Sequence, residues 1–108
     1  PIIALDANKR AVWVAGASGG PRIISGTLQA TLRALALGSS ARAAIEAPRI
    51  HHQWAPDTLF MEPAFDSSIE TALRSKGHIL ETTPAVGNVQ AVKRVNERMV
   101  EAAADPRK

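Results

Sequence analysis

The sequence contains no cysteine and no tyrosine, and its aromatic residues are two tryptophans and two phenylalanines. Without cysteine the chain can form neither disulfides nor thiolate metal sites. Because aromatic residues are so few, aliphatic side chains and alanine must fill the core. No apolar run is long enough to span a membrane, so membrane insertion is not expected. The chain has no signal peptide and no initiator Met. We therefore expect a fragment or a processed product that forms one domain over residues 1–108.

The positive charge of the chain is scattered. Its net charge is +3, and no run of Lys and Arg exceeds two residues. Proteins that bind nucleic acid concentrate their basic residues and add aromatic residues that stack on bases. The charges therefore predict a solvated surface, and nucleic acid is not expected as a partner.

The N-terminal third predicts two strands and a helix around a glycine turn. Residues 2–5 and 11–15 are apolar, and a polar, turn-like segment separates them, which is typical of a β-hairpin. Both strands are apolar on both faces, so we expect a buried sheet. Pro21 suits the first turn of a helix over residues 21–37, and Gly38 suits its end. The expected buried face of this helix comprises Ile24, Leu28, Thr31, Leu32 and Leu35.

Short elements are expected along the rest of the chain. Ser39 or Ser40 can cap a helix over 41–47, which Pro48 ends, and 49–57 are irregular or extended. Ser67 and Glu70 form a capping box for a helix over 68–76, which would bury Ile69, Ala72 and Leu73 and end at Gly77. Strands are expected at 59–62 and 78–82. Propensity favours a helix over 89–103, although part of this segment also alternates like a strand.

The stretch GASGGPRII, residues 16–24, is the strongest chemical signal. Gly19 and Gly20 lie between a predicted strand and the start of a helix, where backbone N–H groups are unpaired. Such amides can stabilise an oxyanion during acyl transfer or hold a phosphate. The segment is not G-x-G-x-x-G, and no Lys-Ser/Thr pair follows as in a P-loop. A turn that only packs the helix against the sheet is the third interpretation.

Three segments in this order resemble γ-glutamyltransferase: GASGGPRIISGTLQATL, AIEAPRIHHQW and AAADPRK. The similarity is to the C-terminal part of that family's small subunit and covers essentially the whole chain. It implies an α+β chain that forms part of an N-terminal-nucleophile hydrolase αββα sandwich, with an antiparallel sheet and two to three helices. In the family a precursor cleaves itself, and the new N-terminal threonine attacks a γ-glutamyl amide such as that of glutathione. Water or an amino acid or peptide acceptor then resolves the acyl-enzyme.

The resemblance also assigns roles and partners. It makes Gly19 and Gly20 the oxyanion-hole amides and places the nucleophile, together with the groups that bind the glutamyl moiety, outside this chain. The implied partners are the rest of the small subunit and the large subunit, and no cofactor is implied. The fragment alone is expected to be inactive. The resemblance favours a hairpin of strands over 88–95 and 98–103 and a periplasmic or secreted location.

Other residues receive structural interpretations. Adjacent residues of an extended chain point to opposite sides, so His51 and His52 chelate poorly together, and no metal site is expected. Hydrogen bonding to the loop that leads to Trp54 is the expected role of both. Arg49 is expected in a structural salt bridge, and 105–107 in a structural end motif. Trp13 and Trp54 are expected in the core or half-buried.

Three alternative functions stay open at this point. The near-match to G-x-S-x-G would allow a hydrolase that uses Ser18 with a histidine and an aspartate. An N-terminal Pro1 amine would suit a small tautomerase, although those proteins continue from strand to helix rather than from strand to strand. The third alternative is a non-catalytic binding or structural domain of the same fold.

Overall fold

The computed structural model describes residues 1–107, and its largest element is a four-stranded sheet. The strands are β1 (Ile2–Leu5), β2 (Ala11–Ser18), β6 (Asn88–Arg94) and β7 (Val100–Ala104), in the order β1-β2-β6-β7, and all neighbours are antiparallel. The N-terminal hairpin prediction is confirmed. At the C-terminus the hairpin β6–β7 replaces the helix that propensity favoured over 89–103. Pairing along β2 and β7 satisfies the backbone of β6 on both sides, and this outweighs the propensity of isolated residues.

Two helices cover one face of this sheet. Helix α1 spans Arg22–Leu35 and α2 spans Ala41–Glu46, and Ser40 caps α2 by accepting a hydrogen bond from the N–H of Ala43. The core between helices and sheet is built around Trp13, which is fully buried and donates its indole N–H to Thr31 Oγ1 at 2.9 Å. Small residues surround it, as the low aromatic content predicted.

The buried face of α1 is not the predicted one. The helix buries small residues, namely Gly26, Thr27, Ala30 and Ala34, while its larger aliphatic residues Ile24, Leu28, Leu32 and Leu35 are exposed and Thr31 is half-buried. A Cβ at Gly26 would lie 2.8 Å from the carbonyl oxygen of Val86, so larger residues do not fit on the inner face. The helix is therefore apolar on two sides.

The second face of the main sheet is also apolar and open. Ile3, Leu5, Val14 and Val92 are between 38% and 65% exposed on this sheet. The prediction of a sheet buried on both faces is thus wrong for the part of the chain that the structure describes. A shallow apolar groove runs over this sheet and is lined by Val14, Gln90, Val92 and Ala102.

A second, smaller sheet connects the two halves of the main sheet. It contains β3 (Ile50–His51), β4 (Leu59–Met61) and β5 (Leu80–Thr82), with β3–β4 antiparallel and β4–β5 parallel. Helix α3 (Ser67–Ser75) lies between β4 and β5 and ends before Gly77, whose φ is +92°.

Two predictions about α3 are wrong. Asp66, not Ser67, is the N-cap, because its carboxylate accepts the N–H of Ser68 at 2.8 Å, and this bonding lowers the pKa of Asp66. Glu70 is then four residues from the cap instead of three. The helix buries no residue completely: Ile69 is 44% exposed, Ala72 is exposed and Leu73 is half-buried.

Within residues 1–107, no helix is long and apolar enough to cross a membrane.

Candidate active-site loop

The glycine turn connects the end of β2 to the start of α1 at the surface. Gly19 has a φ of +128° and Gly20 a φ of +59°, and both residues are exposed. Pro21 follows as the N-cap of α1, and no side chain caps this helix. Glycine is favoured here because L side chains rarely adopt these backbone angles.

Hydrogen bonds fix the orientation of the peptide between the two glycines. The N–H of Arg22 donates to the carbonyl of Gly19 at 3.3 Å, and the N–H of Ile23 donates to the carbonyl of Gly20 at 3.1 Å. In a trans peptide the N–H points away from the carbonyl. The N–H of Gly20 is therefore directed away from α1. Among residues 1–107, neither the N–H of Gly19 nor that of Gly20 has a hydrogen-bond acceptor.

Gly87 supports this turn from behind. A Cβ at Gly19 would lie 3.1 Å from Gly87 Cα, and a Cβ at Gly87 would lie 3.1 Å from the carbonyl oxygen of Arg22. Gly87 itself has a φ of +71°. The two backbone segments thus approach so closely that a side chain at Gly19 or Gly87 would push them apart. Gly87 was not predicted as part of this turn, although a Gly-Asn pair at the start of a strand is a recognisable turn signal.

Two arginines hold the segment that contains Gly87. Arg22 donates from Nη1 to Thr83 Oγ1 and to the carbonyl of Ala85, both at 2.8 Å. Arg49 donates from its own Nη1 to the carbonyls of Val86 at 3.0 Å and Gly87 at 3.1 Å. Because a guanidinium has five donors in a rigid plane, each arginine can orient several carbonyls at once.

A buried ionic network joins Arg49 to the C-terminal residues. Arg49 Nη2 lies 2.7 Å from Asp105 Oδ2, and both side chains are completely buried. Arg107 bridges Asp105 at 2.9 Å and Glu62 at 2.6 Å. The predicted structural roles of Arg49 and of residues 105–107 are confirmed, while Glu62 was missed. Lys108, the last residue of the terminal motif, lies outside the described residues.

The network lowers the pKa of Asp105. Burial raises the pKa of this carboxyl, but hydrogen bonds from the N–H of Val89 and from the guanidinium groups of Arg107 and Arg49 outweigh burial. Glu62 also accepts the N–H of Val86 at 2.6 Å and that of Arg49 at 2.9 Å. The charged side chains therefore bind the backbone directly beside Gly87.

His51 and His52 bind the loop that follows them, as predicted. His52 Nδ1 accepts the N–H of Trp54 at 3.0 Å. His51 Nε2 lies 2.9 Å from Gln53 Oε1, and its Nδ1 lies 2.8 Å from Ser25 Oγ. Trp54 is 84% exposed, so the prediction that it packs in the core or is half-buried is wrong.

The described residues do not form the other sites that were considered. No histidine hydrogen-bonds to Ser18, and the aspartate near His52 is the exposed Asp57, so the Ser18 triad is not assembled. Residues 1–107 contain no group of three histidine, aspartate or glutamate side chains that could hold a metal ion. Pro1 lies beside Gly16 and precedes β1, which pairs with β2, so the chain runs from strand to strand.

Comparison with solved structures identifies the class of this fold. A structure of acivicin-inhibited gamma-glutamyltranspeptidase matches with a TM-score of 0.93 and 31% identity, covering 100% of this chain and 59% of that chain. A mutant of the Helicobacter pylori gamma-glutamyltranspeptidase matches with a TM-score of 0.92 and 32% identity, covering 100% and 60%. The chain thus has part of the N-terminal-nucleophile hydrolase fold, as predicted. It belongs to the gamma-glutamyltranspeptidase family, whose family model matches residues 1–108.

The chain corresponds to a small part of its full-length relatives. It is 35% identical over 94 residues to the glutathione hydrolase proenzyme of Escherichia coli, a match that covers 87% of this chain and 16% of the proenzyme. The glutathione hydrolase proenzyme of Arthroderma benhamiae is 33% identical over 95 residues, again 16% of its length.

Proposed function

We propose that this chain is the C-terminal segment of the small subunit of a γ-glutamyltransferase and supplies its oxyanion-hole amides from Gly19 and Gly20. One observation carries the proposal: Gly19 and Gly20 are exposed neighbours whose N–H groups have no acceptor among residues 1–107, at a turn whose carbonyls are both held by α1. Because the Gly19 carbonyl is held, the peptide that carries the Gly20 N–H needs no reorganisation when charge develops, which is the condition for strong oxyanion stabilisation.

The proposed reaction is acyl transfer from a γ-glutamyl amide such as glutathione. The hydroxyl oxygen of a threonine outside this chain bonds to the γ-carbonyl carbon, and the carbonyl oxygen becomes the oxyanion that Gly19 and Gly20 bind. The C–N bond then breaks, and the leaving nitrogen takes the proton that the hydroxyl released through its base. Water or the amine of an amino acid or peptide next attacks the acyl-enzyme and regenerates the threonine.

The open apolar surfaces support the proposed partners. The outer face of α1 and the uncovered face of the main sheet are both apolar, and a helix that is apolar on two sides is normally buried on both. We propose that the rest of the small subunit and the large subunit cover these surfaces in the whole protein. The fragment alone then has no catalytic activity. A periplasmic or secreted location belongs to the same proposal and is checked by cell fractionation.

Gly20→Ala in the full-length polypeptide tests the oxyanion assignment. Apart from Gly20 and its two chain neighbours, no residue among 1–107 has a heavy atom within 4 Å of a Cβ at Gly20, so a loss of activity would report what approaches the amide from outside the chain. Gly38→Ala is the matched control, because Gly38 has a φ of +71°, is equally open and lies at the other end of α1. Both variants carry the same kind of backbone strain.

The readout is release of aniline chromophore from a γ-glutamyl anilide, measured on protein that has completed self-cleavage. We expect Gly20→Ala to lower kcat by about tenfold or more, because alanine keeps the backbone N–H but its methyl group crowds the approach of the oxyanion. Complete loss of one oxyanion donor costs about 10²- to 10³-fold. Gly38→Ala should retain wild-type kcat. Equal activity of the two variants would contradict the oxyanion role, and no release by the wild type would favour the non-catalytic domain.

A further inference from the structure

His51 lies on a hydrogen-bonded chain that none of the proposed chemistry uses. The chain runs from Gln53 through His51 to Ser25, and Ser25 is on α1 only five residues after Gly20. His51 is 4% exposed, and its ring stacks on Phe60 with the ring centroids 6.4 Å apart. Arg22, the first residue of α1, lies over the same Phe60 ring at 5.3 Å. His51 therefore contacts the start of α1 both directly and through Phe60.

The hydrogen-bond partners determine which ring nitrogen of His51 carries the proton. Gln53 Nε2 donates to the carbonyl of Ala55 at 3.1 Å, and a carbonyl can only accept. Gln53 Oε1 is thus the atom that faces His51 Nε2, and it can only accept as well. Nε2 of neutral His51 must carry the hydrogen, so Nδ1 is an acceptor. The Ser25 hydroxyl then donates to Nδ1 at 2.8 Å.

The position of α1 in turn sets the direction of one candidate oxyanion amide, the N–H of Gly20. The N–H groups of Arg22 and Ile23 hold the carbonyls of Gly19 and Gly20. Any shift of the first turn of α1 would therefore rotate the peptide between the two glycines. A second contact strengthens the same connection, because Gln29 on α1 exchanges hydrogen bonds with the backbone of Ile50 beside His51.

We propose that His51 is a positioning residue for the glycine turn: held as its Nε2–H form by Gln53, it accepts the Ser25 hydroxyl proton and fixes the start of α1. The inference rests on the proposed oxyanion role of Gly19 and Gly20. An oxyanion exists in the transition state and not in the bound substrate, so misdirected amides lower kcat and leave KM unchanged. A residue that only stabilised the fold would change neither parameter in the fraction of protein that is folded.

Two substitutions of His51 in the full-length polypeptide distinguish the effect of the hydrogen-bond acceptor from the effect of side-chain volume. In His51→Asn the side-chain oxygen can reach the position of Nδ1 and accept from Ser25, whereas in His51→Gln the amide reaches the position of Nε2 instead. We expect His51→Asn to stay within about twofold of the wild-type kcat and His51→Gln to lose about tenfold, which corresponds to about 1.4 kcal/mol. KM should be unchanged in both. Ser25→Ala removes the same hydrogen bond by a smaller change and should also lower kcat by about tenfold. This variant keeps the test available if the His51 variants fail to fold.

Nitrogen NMR of histidine-labelled full-length protein tests the protonation state without reference to activity. The Nδ1 resonance of His51, assigned with His51→Asn, should be that of an unprotonated nitrogen and should move in Ser25→Ala. The inference would be overturned by a protonated Nδ1 or by a His51→Gln variant with the wild-type kcat. A change in KM alone would also overturn it. Failure of the oxyanion proposal is distinguished because Gly20→Ala would then keep the wild-type kcat while the NMR result still held. A loss of kcat in His51→Gln, together with a wild-type kcat in Gly20→Ala, would also overturn the positioning role.

Discussion

The buried ion pair between Arg49 and Asp105 allows a quantitative test of what holds the glycine turn in place. Both side chains are completely buried, with 2.7 Å between Arg49 Nη2 and Asp105 Oδ2. Asp105→Asn keeps the shape of the side chain and removes its charge. The Arg49 guanidinium is then left buried without a counterion at that position. Removing one partner of a buried pair costs about 3–5 kcal/mol, so we expect the free energy of unfolding to fall by about that amount.

An exposed ion pair of the same length provides the control. Arg42 Nε lies 2.7 Å from Glu46 Oε1, but these side chains are 81% and 45% exposed. Exposed pairs contribute about 0–1 kcal/mol, so Glu46→Gln should change stability by less than about 1 kcal/mol. Urea denaturation of both variants at pH 7 measures the difference. Equal losses in the two variants would refute the reasoning that burial, and not distance, decides the magnitude.

The pH dependence of the same variant gives an independent check. The pKa of Asp105 is lowered in the folded state. A carboxyl with a lowered folded pKa stabilises the fold fully above its ordinary value of 3.8, and this contribution is lost as the pH falls through the folded pKa. The difference in unfolding free energy between wild type and Asp105→Asn should therefore be constant near neutral pH and should shrink as the solution is acidified below pH 3.8. A difference that grew on acidification would contradict the sign.

Three further predictions concern packing. Gly26→Ala places a Cβ 2.8 Å from the Val86 carbonyl oxygen, so urea denaturation should show a loss of about 1–3 kcal/mol. Trp13→Phe leaves a void and removes the hydrogen bond to Thr31, and a loss of about 2 kcal/mol or more is expected in the same assay. Leu28→Gln, on the exposed face of α1, should change the stability of this chain by less than about 0.5 kcal/mol. In the full-length polypeptide Leu28→Gln should reduce the yield of assembled, self-cleaved protein, as measured by gel electrophoresis, and an unchanged yield would contradict burial of that face.

Local signals in the sequence predicted several turns and helix ends, although the N-cap of α3 is Asp66 and not Ser67. Gly38 and Gly77 end α1 and α3 with positive φ, and Ser40 caps α2, because these positions depend on neighbouring residues alone. The C-terminal hairpin was harder, since its strands are specified by pairing with β2, which is distant in sequence. Resemblance to the family predicted it where propensity favoured a helix.

Hydrophobic periodicity failed for α1 for a physical reason. The method assigns the largest apolar residues to the core, but this helix approaches Val86 so closely that glycine, threonine and alanine form its inner face. The large residues on its other side then meet solvent in this chain. Hydrophobic periodicity cannot distinguish the two apolar faces of this helix, because their side chains differ in size and not in polarity.

The two glycines of the candidate site were proposed from the sequence, but the residues that pack against them and hold them were not. Gly19 and Gly20 stand out by composition, whereas Gly87 packs against Gly19 in a segment whose backbone Arg22, Arg49 and Glu62 bind. Those two side chains are fixed in turn by the C-terminal residues, through the pairs Arg49–Asp105 and Glu62–Arg107. The position of Gly87 against Gly19 therefore rests on ionic contacts made by the last described residues of the chain. Asp105→Asn changes no residue of the glycine turn. It should nevertheless shift the amide resonances of Gly19 and Gly20 as well as lower the stability of the fold.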